Sequence, residues 1–517
     1  MFGPLLLAVL LVFCRAQVRV DPLVETRLGL IRGLKSNGYS MFLGVPYAKV
    51  NESNVFGPSI PVTNFDRTFE AYDDSIICPQ SDMFTNTISG SLDCLTLNIF
   101  VPDSASSANP MPVMVWIHGG AFEGGSSVSS YNGPSYLVRH NVLLVTIQYR
   151  LGPYGFLCLD TAVIPGNQGL KDQLTALRWI KDNISAFGGN ANSITLFGTS
   201  AGAMSIDLHL LSEQELLFNK VIMQSGAAST PRVTRESDAT VPLQISAQLG
   251  FVTENLDDAL AFLSNADVEL VIAAGRALSL EWRTCPEKDF DGVEKFITDF
   301  PINTPVPKAS SVDILSGYNS LELGFMSLFS NFESDVFAKN LDLIFDFGAD
   351  FLEMERVVRN FYIGDEVVSM DVSSRIAEFL SDFTYNYPVQ WTTEKFLKNG
   401  ARNVYHYVFS YPGNWGWAGH GDEHKYLFET GAELTEEELV IRDRMTTMWT
   451  NFAKYGDPTP TTSELLPVKW TPATEDTLNY MNIGSELIPS TRPYRNRLAF
   501  WELYFKANWE KLRGYRE

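Results

Sequence analysis

The stretch Ile194-Thr195-Leu196-Phe197-Gly198-Thr199-Ser200-Ala201-Gly202-Ala203 sets the tightest constraint on what this chain can fold into. ITLF reads as a buried strand and AMSIDLHLL as a helix, with one very short turn between them. A Ser at the centre of such a turn must hold a strained backbone. The residues two before and two after it must be small, as Gly198 and Gly202 are. That is the nucleophile-elbow pattern, and it points the Ser200 hydroxyl out of the sheet beside a helix N-terminus, where amides favour negative charge. The alternative reading is a plain helix-capping Ser.

An elbow needs amides to receive an oxyanion. His118-Gly119-Gly120-Ala121-Phe122 directly follows another strand-like run, PVMVWI. A Gly-rich turn after an earlier strand lets the backbone approach a substrate carbonyl. The elbow also needs a base and an acid, in the chain order Ser, Asp or Glu, His. The chain has six His. His406 lies inside the strand-like VYHYVFSY and reads as a packed residue. His424 precedes Lys425 and reads as solvated. His420, in the Gly-flanked loop Gly419-His420-Gly421-Asp422-Glu423, is the best base. The acid is harder to choose, because 61 residues are Asp or Glu. Glu322 follows the strand-like VDILSG, and Asp346 and Asp350 in LIFDFGAD are alternatives.

Further apolar runs, VLLVTIQY, Val221 to Gln224 and Val404 to Ser410, are continuous rather than alternating, which suits a sheet covered on both faces. Gln168 to Ala186 and Glu436 to Tyr455 have helical spacing. Strands alternating with helices predict an α/β fold with a large, mostly parallel central sheet, helices on both faces, and helical insertions near Glu254 to Glu366. The N-terminal LLLAVLLVF, followed by Cys14-Arg15-Ala16, reads as a secretory signal over residues 1–16. Residues 17–517 then form one domain of an extracellular protein. Its sequons are Asn51 and Asn183. After signal removal four Cys remain. Cys78 and Cys94 could close a loop worth about 3 kcal/mol. Cys158 and Cys285 could both be free and buried; spacing does not settle the pairing. The formal charge of −22 argues against nucleic acid or an anionic membrane surface as partner. The polar C-terminus shows no lipid-anchor signal.

These motifs together resemble the carboxylesterase/cholinesterase family, the type-B esterases. FLGVPYA (Phe42 to Ala48), DCLTLN (Asp93 to Asn98), HGGAF, TIQYRLGPYGFL (Thr146 to Leu157), GNQGLKDQLTALRWI (Gly166 to Ile180), FGTSAGA, QSG (Gln224 to Gly226) and HGDE match in order over nearly the whole chain. The resemblance implies the α/β-hydrolase fold and a Ser200–His420–Glu322 triad. It implies oxyanion amides at Gly120, Ala121 and Ala201, and neither a metal nor a cofactor. It also implies a Cys78–Cys94 disulfide, an Arg150–Asp172 salt bridge, and supporting polar roles for Ser225 and Glu423. The substrate would be a small-molecule ester, with no membrane anchor.

Departures from the family narrow the substrate. Cholinesterases carry a Trp in the first disulfide loop and a Glu before the nucleophile. Here CPQSDMFTNTISGSLDC has no Trp, and Thr199 precedes Ser200, so attraction for a quaternary ammonium is reduced. Arg232 stands where the family carries an acyl-pocket Trp. Leu323 and Trp417 depart from Gly positions of relatives. Val55 and Leu92 replace a buried ion pair by two apolar residues, an exchange that is close to neutral. FLGVPYAKVNESN and HGDEHKYLF look most like secreted insect carboxylesterases, a group that includes odorant-degrading and juvenile-hormone esterases. The hormone esterases usually carry Gln at the Thr199 position. A carboxylesterase for small neutral or lipophilic esters is the expectation. A catalytically silent binding protein on the same fold is the alternative, disfavoured because all three triad residues are present.

Overall fold

The structure, a computed structural model, describes residues 22–82, 85–328, 332–413 and 416–514. The proposed signal, residues 1–16, lies outside the described residues. Among these residues the core is an eleven-stranded sheet. In chain order its strands are β1 Leu34–Lys35, β2 Tyr39–Pro46, β3 Thr96–Pro102, β4 Met111–Ile117, β5 Leu143–Ile147 and β6 Gly189–Thr199, followed by β7 Lys220–Gln224, β8 Asp313–Asn319, β9 Val404–Phe409, β10 Asn479–Ile483 and β11 Leu487–Thr491. Their spatial order is β11-β10-β9-β8-β7-β6-β4-β5-β3-β2-β1. The seven central strands from β10 to β5 run parallel. The flanks pair antiparallel. The sheet is therefore the α/β-hydrolase sheet, mixed at its edges.

Strand alternation divides the core between two faces. On β4, Val113, Val115 and Ile117 enter one apolar cluster, and Met114 and Trp116 enter the other. Every residue of β5, β7 and β9 is buried, so their side chains are covered on both sides. The covering helices include α1 Gln168–Asn183, α2 Ala201–Leu211, α3 Tyr387–Lys398 and α4 Glu436–Tyr455. α4 carries a capping box between Thr435 and Glu438 and ends at Gly456 in left-handed conformation, as its bounding residues predict. The acidic middle contributes helices, but it also contributes the central strand β8.

Two disulfides form, Cys78–Cys94 and Cys158–Cys285. The second joins residues 127 apart in sequence. That separation is why spacing did not reveal it, and the two cysteines are not free. His424 is corrected as well. It is 7 % exposed, stacked on Tyr131 and packed against Trp116 and Phe428, and burial pushes its pKa down to about 4. The Asn183 side chain is 5 % exposed, with Nδ2 donating to the Trp179 carbonyl, a placement at odds with a glycan on the folded chain. Asn51 is half-buried in a turn, and its Oδ1 accepts from Ser53.

Arg150 and Asp172 are both fully buried and meet in two parallel hydrogen bonds, of 2.7 and 2.8 Å. The remaining guanidinium donors reach the carbonyls of Val55 and Gly57. One ion pair thus ties the end of β5, α1 and the 55–57 loop, while the Val55 side chain packs in the core with Leu92. Asp172→Asn strands the Arg150 charge. It should cost about 3–5 kcal/mol in urea denaturation. Arg27→Ala, which breaks the exposed Arg27–Asp182 pair, should stay within about 0.5 kcal/mol of the parent.

Candidate active site

Ser200 sits alone between β6 and α2 with φ 55° and ψ −125°, a region that non-glycine residues rarely occupy. Its N–H donates to the Gln224 carbonyl at 2.9 Å, which pins the turn to β7. The turn closes only because its flanks lack side chains. A Cβ on Gly198 would lie 2.6 Å from the Ile117 carbonyl oxygen, and one on Gly202 would run into the same oxygen. The elbow is therefore pressed against the end of β4. The Gly-rich turn that follows β4 touches it too, since a Cβ on Gly119 would lie 3.0 Å from Ser200 Cβ.

That turn has its own constraints. Gly120, Ala121 and Phe122 all have positive φ. The Gly120 carbonyl accepts from Glu123 and Gly124. Among the described residues the N–H groups of Gly120 and Ala121 donate to no protein acceptor. Ala201 opens α2, so its N–H is one of the unpaired amides of a helix start. Two neighbours missed in the sequence hold the turn. His118 is buried, its Nδ1 lies 2.9 Å from the Gly119 carbonyl, and its ring stacks on Tyr149. Burial lowers its pKa to about 4, so it is neutral. Gln80, inside the Cys78–Cys94 loop, pairs both ways with the Gly125 backbone, at 2.8 and 2.9 Å.

Glu322 is fully buried after β8. Its Oε2 meets His420 Nδ1 at 2.6 Å, and its Oε1 accepts from Ser225 Oγ and the Asn319 N–H, both at 2.6 Å. The His420 N–H also donates to the Glu322 carbonyl. Beneath lies a second buried carboxylate, Glu423, which accepts from Gln224 and Asn319. Its pKa is raised by burial and by the Glu322 charge. For His420, burial lowers the pKa, but the hydrogen bond and charge of Glu322, with Glu423 and Asp422, more than reverse this. The result lies above the usual 6.5. Leu323 and Trp417 prove compatible with the site. A Cβ on Gly324 would lie 2.5 Å from Trp417 Cδ1, so the indole fills the space that Gly324 leaves.

Tyr385 completes the centre, and no motif announced it. Its ring lies 4.4 Å from that of His420, and its hydroxyl is close enough to the Ser200 side chain to feel it. It is carried by a π-helical turn, Asp382–Asn386, a local distortion that recurs at functional sites. The structure thus brings together Ser200, His420, Glu322 and the turn of Gly120 and Ala121. It does not include His406, which is buried in β9 with its pKa pushed down to about 3 by burial, nor the exposed Asp346 and Asp350.

The carboxylesterase family model matches residues 20–501. Esterase FE4 of Myzus persicae is 32% identical over 498 residues, covering 87% of this chain and 88% of its own. The bile salt-activated lipase of Rattus norvegicus is 30% identical, covering 93% and 84%. The juvenile hormone esterase of Tribolium castaneum is 30% identical, covering 85% and 84%. With the hydrolase sheet, the strained serine and the buried acid–imidazole pair already in place, the match across the chain means that it belongs to the carboxylesterase family and is a carboxylic ester hydrolase.

Proposed function

We propose that this is a secreted serine esterase that cleaves small neutral or lipophilic esters through an acyl-enzyme on Ser200. The observation that carries the reading is the 2.6 Å contact between His420 Nδ1 and the buried Glu322, in a centre where the Tyr385 ring packs on that of His420. Nδ1 bound to a carboxylate keeps its proton. Nε2 is then the free base that takes the Ser200 proton. The Ser200 oxygen attacks the ester carbonyl. The amides of Gly120, Ala121 and Ala201 hold the developing oxyanion, a contribution of about 3–4 kcal/mol for one good donor. His420 returns the proton to the leaving alcohol, and a water activated the same way releases the acid. Every group is supplied by the chain, and none of these steps uses a metal or cofactor.

Several features support the finer reading. Two disulfides suit an oxidising compartment. With the apolar run before Ala16, they support a signal over residues 1–16, a single secreted domain over residues 17–517, and glycan attachment at Asn51. Among the described residues no helix is long and apolar enough to cross a membrane. Thr199 beside the nucleophile supplies no carboxylate for a cationic alcohol. The likeness to a juvenile hormone esterase makes that hormone's ester a second substrate to assay.

Ser200→Ala should lower kcat toward a neutral ester such as phenyl acetate by about 10⁶-fold. Comparable turnover by both forms would return the chain to the non-catalytic reading. On the intact enzyme, phenyl acetate should show a higher kcat/KM than acetylthiocholine; the reverse order overturns the specificity argument. The pH profile is a separate check. His420 must be neutral to act, and its pKa is raised, so kcat/KM should rise through an ionisation above pH 6.5 and be lost on acidification below it. Glu423→Gln removes one of the charges that raise that pKa, and the inflection should move to lower pH. An inflection that stays or moves up would detach Glu423 from the imidazole.

A further inference from the structure

A cavity of about 360 Å³ lies between the turn after β7, the 281–283 segment, α3 and the C-terminal helix and tail. Neither Ser200, His420 nor the oxyanion residues line it. One wall is apolar, built from Phe300, Ile302, Trp391, Phe505 and Leu512. The other carries Arg232, Arg235, Arg283 and Arg513 against Glu236 and Glu281, four positive charges to two negative, in a chain whose formal charge is −22.

The arginines are not equivalent. Arg232 pairs with Glu281. Arg283 reaches Glu123 and donates to the Ala121 carbonyl at 3.2 Å, so it links the chamber to the oxyanion turn. Arg513 is held by Asp342 at 2.8 Å. Arg235 makes no side-chain hydrogen bond or ion pair among the described residues; its backbone alone is fixed, on the Thr284 carbonyl. Burial and the charges of Arg283 and Arg232 push the Arg235 pKa down, against the weaker pull of Asp238 and Glu281. A half-buried guanidinium that no carboxylate among the described residues contacts directly is a cost that a bound anion removes, in charge-assisted hydrogen bonds of a geometry suited to carboxylate. An apolar enclosure with a few convergent polar groups is how small-molecule sites are generally built.

We infer that this chamber binds an amphiphilic carboxylate, its head group on Arg235 and its aliphatic tail against the wall formed by Phe300, Trp391 and Phe505. Ser200 does not line the chamber, which adjoins through Arg232 the side where relatives carry the acyl-pocket Trp, and the inference does not depend on the role assigned to Ser200. A free aliphatic acid, the kind of product an ester hydrolase releases, has the required chemistry. Arg283 gives such a ligand a physical connection to the Ala121 carbonyl.

The test is calorimetric titration of the Ser200→Ala protein with butanoate, hexanoate and octanoate, and with 1-octanol as the neutral probe. One-to-one binding is expected, tightening about fourfold per methylene. Arg235→Gln should weaken octanoate at least tenfold and leave 1-octanol unchanged, which also shows that the variant is folded. Ile302→Trp, which fills the apolar end, should abolish octanoate binding while an otherwise intact enzyme carrying it still hydrolyses phenyl acetate. Absence of octanoate binding to the parent overturns the inference. So does equal octanoate affinity in Arg235→Gln, or octanoate binding that survives Ile302→Trp.

Discussion

The burial of one carboxylate, Glu322, organises this molecule. A charge with no solvent contact is tolerated only where hydrogen bonds replace the water it has lost; an unpaired one costs several kcal/mol. Glu322 finds its partners on three separate segments: Ser225 after β7, the Asn319 N–H at the end of β8, and His420 on a loop beyond β9. Meeting that requirement fixes how three parallel strands end relative to one another. It also fixes the imidazole, because the same residue binds His420 through its side chain and its backbone carbonyl. Glu423 below repeats the logic with Asn319 and Gln224, and Trp449 of α4 donates in turn to Gln224. The catalytic geometry is thereby continuous with helix packing on the far side of the sheet.

The serine side of the site rests on sterics rather than charge. Ser200 holds unfavourable dihedrals because its neighbours leave no alternative. Gly198 and Gly202 close on the Ile117 carbonyl, and the Ser200 N–H is pinned to β7. Strain of this kind, about 1–3 kcal/mol, persists only where the surroundings over-determine it. The Gly-rich turn after β4 is clamped similarly, by His118 from within and by Gln80 from the disulfide loop. Cys78–Cys94 therefore does more than shorten the unfolded chain. It holds the residue that holds the turn.

What was legible in the sequence follows from this division. Steric requirements are local, so the elbow and the HGGAF turn could be read directly, as could β4 to β7 from their unbroken apolar runs. Charge satisfaction is non-local. Glu322 could be preferred to Asp346 and Asp350 for its place after a strand and by family resemblance, but nothing near it in sequence shows that it is buried and they are exposed. The same blindness hid Cys158–Cys285 and made His424 look solvated when aromatic rings cover it. Tyr385 was invisible for a further reason. Its position depends on a single π-helical turn, which side-chain periodicity does not reveal.

Substrate choice sits on yet another layer. The frame that holds Ser200, His420 and Glu322 tolerates exchange around it when the exchange is compensated. Trp417 occupies the room beside Gly324, and the Val55 side chain packs where a charge would need a partner. Thr199 and Arg232 are different, because nothing in the frame requires them. Thr199 brings no charge beside Ser200, and its buried Oγ1 has no hydrogen-bond partner among the described residues. Arg232 brings a charge to the acyl side and is answered there by Glu281, which also lies 3.7 Å from Arg283. The one glutamate thus faces two guanidiniums, and Arg235 nearby contacts no carboxylate directly among the described residues. A site attractive to cations would show the opposite balance. The distribution of charge around Ser200, His420 and Glu322 is therefore what favours the proposed preference for neutral over choline esters, and it does so without changing any of those three residues.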